Sequence, residues 1–143
     1  MGISIAALTG LLSNLFVNAD SEWFMSLIKP EFYPPNMVFM IAWIIIYILT
    51  AIVIARVINN KLPKVTLILI IVQCVLQILW CLVFFTLEMP VTGLLILIAL
   101  VVINVIINYQ LNNKDELAGW LYFLIFSWIV YACMLNYSIV MLN

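Results

Sequence analysis

The chain has 143 residues, of which 69% are hydrophobic and 8% charged, with a formal net charge of −1 and a mean hydropathy of +1.32. A water-soluble domain is about 25% charged because it must cover its surface; this sequence cannot do that, so its solvent is lipid. The charge balance excludes a basic nucleic-acid surface, and the absence of histidine removes the usual neutral-pH proton carrier and the commonest metal ligand.

The first apolar stretch, Ile3 to Val17, has the length of a signal-peptide core, and Val17-Asn18-Ala19 resembles a cleavage site. No Lys or Arg precedes it, as a signal peptide would require, so it is read as a helix over about 2–18. The eleven charged residues then divide the chain into uncharged runs at 1–19, 32–55, 65–87, 89–113 and 117–143. Each is near or above the roughly 20 residues that cross about 30 Å of hydrocarbon. Helices are predicted at about 34–58, 64–87, 90–111 and 116–141 besides the first, with 20–33 as a connecting loop. Pro34-Pro35, Pro63 and Pro90 suit first turns. Asp115 and Glu116 suit the positive end of a helix dipole. The expectation is a single all-α, five-helix transmembrane domain, 1–143, with no internal repeat.

Arg56, Lys61, Lys64 and Lys114 fall on the side of the amino terminus, against Lys29 alone on the other. The positive-inside tendency therefore places the amino terminus in the cytoplasm. Cys74, Cys81 and Cys133 lie in apolar runs with no C-x-x-C spacing, so they read as packing residues rather than a metal site. No ionisable group falls inside a run, which excludes proton relays and voltage sensing.

Neutral polar and aromatic residues do share helix faces. Asn36, Trp43, Tyr47 and Thr50 fall on one face of the second predicted span, and Gln73, Gln77, Trp80 and Phe84 on one face of the third. Trp128, Ala132, Leu135 and Asn136 do so in the fifth. Such stripes hold helices together or line a cavity for a flat apolar ligand. Asn104 and Asn108 are expected to join helices, and Trp120 to anchor at the membrane surface.

Trp23-Phe24, Leu27-Ile28-Lys29-Pro30, Pro34-Pro35, Val38-Phe39, Trp43 and Tyr47 resemble the signature of the tryptophan-rich sensory protein family, also called the translocator protein or peripheral benzodiazepine receptor family. The likeness continues through Gln73, Gln77, Trp80 and Phe84-Phe85, then Ala118, Leu121, Trp128, Tyr131-Ala132 and Leu135-Asn136. Gln77 stands where the family has Asn, and Leu124-Ile125 where it has Pro-Tyr, which predicts a straighter, greasier last helix. The cation that a cholesterol motif would need after Tyr137 is absent.

The resemblance implies a membrane receptor or sensor, usually a homodimer, that binds porphyrin-like tetrapyrroles and isoquinoline or benzodiazepine compounds, with their transport as a further implied role. It places Trp23, Phe24, Pro34, Trp43, Gln77, Trp80, Phe84, Trp128 and Ala132 around the ligand, with Lys29 and Pro30 holding a loop lid. Porphyrin enters as ligand; no resident cofactor, metal or nucleic acid is expected. The alternatives are light-dependent porphyrin breakdown using Trp43 and Trp128, and a structural membrane protein without ligand.

Overall fold

Hydrocarbon offers no partner to a free N–H or C=O, so each uncharged run must close its own backbone hydrogen bonds. The computed structural model, which describes residues 1–143, does this with helices only. They are α1 (Gly2–Phe16), α2 (Glu22–Ser26), α3 (Asn36–Asn59), α4 (Lys64–Cys81), α5 (Pro90–Asn112) and α6 (Glu116–Leu142). The count differs from the expected five. Four helices, with α4 extended to Thr86, are long and apolar enough to cross a membrane. The 15-residue α1 rises only about 22 Å, and α2 lies in the segment expected to be a loop. Ser21 starts α2 by accepting the Phe24 N–H at 3.1 Å, a side-chain cap.

Local chemistry sets the remaining boundaries. At the end of α3 the Leu62 N–H reaches the Val57 carbonyl and the Lys61 N–H the Ile58 carbonyl, which is the Schellman pattern, with Lys61 at φ 50°. The last turn of α4, Leu82–Thr86, widens to π geometry, closed by Leu87 N–H to Leu82 C=O at 2.9 Å. The extra residue per turn lets consecutive Phe84 and Phe85 both be buried. By contrast α6 runs unbroken through Leu124 and Ile125, as expected once Pro-Tyr is missing.

The five longer helices form a ring in the order α1, α3, α6, α5, α4 and back to α1. One end of the ring carries the α1–α3 connection, the α4–α5 turn and the end of α6. There the Thr86 hydroxyl donates to the Phe16 carbonyl at 3.0 Å, and the Asn143 side chain pairs with both backbone groups of Ile28. The interior is aromatic toward this end, around Phe24, Trp80, Phe84 and Phe85. Toward the other end it is largely aliphatic, around Val53, Ile54, Ile70, Ile107 and Leu111.

At that aliphatic end Arg56 donates to both oxygens of Asp115, each at 2.9 Å, and Asn60 donates to one of them at 2.6 Å. Asp115 also caps α6 through the Ala118 N–H at 3.1 Å, so one carboxylate joins the end of α3 to the start of α6. The Arg56 guanidinium, then the Ala118 and Asn60 donors, hold the Asp115 carboxyl below the usual range despite the opposing effect of desolvation. A lowered folded-state pKa adds stability that is present above the ordinary carboxylate value of about 4 and is lost as pH falls through the folded value. Asp115→Asn is therefore expected to lower the thermal midpoint in detergent by several degrees at pH 7. The gap to the parent should close as the pH is taken below 4, and a gap independent of pH would show that the carboxylate charge contributes nothing.

Candidate functional site

Helix α1 presents small side chains where its neighbours present rings. Ala6, Gly10 and Ser13 recur at helical spacing and, with Trp43 and Tyr47 of α3 and Trp80 of α4, form part of the lining of a cavity of about 780 Å³, the Tyr47 ring packing directly on Gly10, where a Cβ would lie 3.0 Å from Tyr47 Cδ2. α1 cannot slide in to close it. At one end Gly2 packs so tightly that a Cβ there would lie 2.7 Å from the Ala51 carbonyl oxygen; at the other, Thr86 holds Phe16. The volume lies within the roughly 300–1,000 Å³ usual for small-molecule sites. Leu11, Met40 and Ile44 form part of its lining and are at least half exposed, so it opens sideways between α1 and α3.

The inner wall is a connected layer of rings. Trp43 lies 5.9 Å from Trp80, 6.0 Å from Tyr47 and 6.2 Å edge-on to Trp128, measured between centroids. Phe39 bridges Trp43 and Trp128 at 6.1 and 5.7 Å. Toward the lid, Phe85 contacts Trp80 at 5.8 Å and Phe24 at 5.3 Å. Edge-on and tilted contacts of this kind are favoured by the ring quadrupole.

The residues singled out in the sequence divide on this wall. Phe24, Trp43 and Trp80 line the large cavity. Trp80, Phe84 and Ala132 line a second, much smaller space of about 10 Å³. Trp128 stands behind Trp43, and Trp23 lies edge-on to Phe84 at 5.6 Å, both away from the large cavity. Pro34, half-buried ahead of α3, and buried Gln77 are also outside its lining. The aromatic residues from α3, α4 and α6 thus converge, but the space lies on the α1 side of their layer. Ala6, Gly10 and Ser13 were not anticipated as site residues, although their spacing of four and three was readable.

Polar groups are sparse and uneven. The Gln73 amide donates to Gln77 Oε1 at 3.1 Å, while Gln77 Nε2 and Trp128 Nε1 are buried without partners. Ser13 Oγ, buried beneath the cavity lining, also has none. Trp80 Nε1 donates to Asn136 Oδ1 at 3.1 Å, and Asn136 donates to the Pro90 carbonyl at 2.8 Å. Asn108 does join helices, donating to the Gly119 carbonyl at 3.0 Å; Asn104 instead bonds back to Leu100 of its own helix.

The lid is fastened from beneath. Lys29 donates to the Phe24 carbonyl at 2.9 Å, and its Nζ sits 4.3 Å from the centre of the Phe24 ring, a cation–π contact. The Pro30 carbonyl accepts the Tyr33 N–H at 2.9 Å. Tyr131 donates to the Phe32 carbonyl at 2.7 Å, tying the loop to α6. Burial, and then the neighbouring Tyr131, push the Tyr33 phenol up to about 12, so it is a neutral group throughout the physiological range.

A TspO/MBR family model matches residues 2–142. The chain is 34% identical over 129 residues to Protein CrtK of Rhodobacter capsulatus, covering 87% of this chain and 81% of that one. It is 33% identical over 138 residues to Tryptophan-rich protein TspO of Archaeoglobus fulgidus, covering 90% and 86%. To Tryptophan-rich protein TspO of Chlorobaculum tepidum it is 25% identical over 146 residues, covering 99% and 92%.

The buried Trp80–Asn136 bond sets a measurable expectation. Trp80→Phe keeps most of the ring but leaves Asn136 Oδ1 without its donor, which costs about 1–3 kcal/mol for an orphaned buried acceptor. Thermal unfolding in detergent should register that loss, and a variant as stable as the parent would show that the indole N–H carries none of it.

Proposed function

Since the chain belongs to the TspO/MBR family, a membrane sensor or transporter family, we propose that it binds porphyrin-like tetrapyrroles and isoquinoline or benzodiazepine-type ligands in the aromatic cavity. The observation that carries this reading is a cavity of about 780 Å³ walled by Phe24, Trp43, Trp80 and their neighbours. Flat ring systems gain dispersion and quadrupole contacts on such walls. Helix seams alone would have left no such space, which disfavours a purely structural role. In this reading α1 is the fifth membrane crossing, because its two ends meet opposite ends of the ring.

In this reading the amino terminus is cytoplasmic and the lid outside, an orientation supported by the four cations of the 56–64 and 112–116 connections. The family likeness further implies a homodimer in the cell membrane, with transport of the ligand as a further role. One geometric feature favours light-driven porphyrin breakdown as a second reading. Trp80, Trp43 and Trp128 form an unbroken series of touching indoles, with the first two at the cavity.

Titration of the purified protein with a free-base porphyrin and with an isoquinoline carboxamide should quench tryptophan emission. Trp43→Phe should remove a large share of that quenching. Ala7→Phe, at an exposed point of the lining, should fill the space and weaken binding by about tenfold or more, equivalent to about 1.4 kcal/mol. Binding unaffected by Ala7→Phe would overturn the assignment of the cavity. Irradiating the porphyrin complex separates the two readings: a product that requires protein and light indicates breakdown, and its absence indicates binding alone.

A further inference from the structure

We infer that in the membrane the resting occupant of the cavity is one acyl chain of a phospholipid from the lid-side leaflet, its tail deep along α1 and its ester end at the lid. The inference does not depend on the aromatic-ligand reading above. It names what such a ligand has to displace.

A space of about 780 Å³ open to its surroundings fills with whatever those surroundings supply. Water needs about two to four polar partners to settle in a cavity, and the deep part of this one offers few. Of its 20 lining residues 15 are hydrophobic, and the Ser13 hydroxyl is shut beneath the surface. Left empty, the lining forfeits dispersion contacts along its whole length. Hydrocarbon stands at the mouth, where Leu11, Met40 and Ile44 belong to the lining and are also at least half exposed.

The dimensions and the polarity gradient fit a chain from one leaflet. Along α1 the lining runs from Ala6 to the end of the helix, about 15 Å at 1.5 Å per residue. That equals half of the roughly 30 Å hydrocarbon core, the depth that a single leaflet's chains fill. The exposed polar side chains of the lining, Asn14, Asp20 and Asn36, lie together at the lid end. A phospholipid placed with its glycerol and headgroup among them keeps those groups wet while one tail reaches the rings of Trp43 and Trp80.

Full-length protein reconstituted into dioleoylphosphatidylcholine vesicles, with or without the same lipid brominated at its chain double bonds, tests this, because bromine quenches an indole at close range. Trp43 lines the cavity, whereas Trp120 is exposed on the outside of α6, so replacing each by Phe separates the two shares of the quenching. Trp43→Phe should reduce bromine quenching at least as much as Trp120→Phe does. Two substitutions that fill the space, Ala7→Phe in the lining and Met40→Phe at the mouth, should each lower it toward the Trp43→Phe level.

Quenching indifferent to Trp43→Phe, or to both filling substitutions, would overturn the inference. If porphyrin or isoquinoline binding responds to Ala7→Phe while bromine quenching does not, lipid occupancy fails and the receptor reading stands. If cavity-dependent quenching is found and neither compound binds, the lipid stands and the receptor reading fails.

Discussion

The structure depends on a size mismatch that its own ends prevent from closing. Methyl groups and a serine on α1 share a cavity lining with indoles on α3 and α4, the Tyr47 phenol packs directly on the bare Gly10, and Gly2 and Phe16 hold α1 at each end. Protein interiors normally fill such mismatches to crystal-like density. Here that would require moving a helix fixed at both termini or collapsing a ring layer whose members already support one another. The cavity follows from geometry before any ligand is considered.

The two ends of the ring are held by different chemistry. At the aliphatic end, a carboxylate receiving Arg56, Asn60 and the first turn of α6 fixes three polar groups near the membrane surface. The Arg56 side chain is one-third exposed, so solvent screens part of the attraction, and the value of the contact lies in positioning α3 against α6. At the lid end the links are hydrogen bonds to backbone carbonyls from Lys29, Thr86, Tyr131 and Asn143, together with a ring–cation contact. Carbonyl oxygens at helix ends and in loops need donors wherever they are, and these side chains supply them.

Much of the helical layout was legible because lipid imposes a constraint that acts on local composition. The four span-length helices lie where the uncharged runs lie, and the inward faces of Gln77, Trp80 and Asn136 follow the helical period. What was not legible involved either absence or distance. The small side chains of Ala6 and Ser13 in the cavity lining, and the bare Gly10 on which the Tyr47 ring packs, carry no signal of their own, and attention to rings and amides passes over missing side chains. Arg56 and Asp115 are 59 residues apart, so the sequence offered one as a topology signal and the other as a dipole partner, with nothing to pair them. The π turn at Leu82–Thr86 has no proline or glycine to mark it, and α2 was hidden in a segment whose only helix signal was Ser21 before Glu22.

The sideways mouth between α1 and α3 also changes what concentration means for this protein. A molecule that enters past Leu11, Met40 and Ile44 arrives from the bilayer, so its mole fraction among the lipids governs occupancy rather than its amount in water. Adding lipid at fixed ligand and protein dilutes such a molecule and raises its apparent dissociation constant, although no contact in the site has changed. Compounds that differ only in partitioning would then rank by their oil–water preference, and potency would vary with the host membrane.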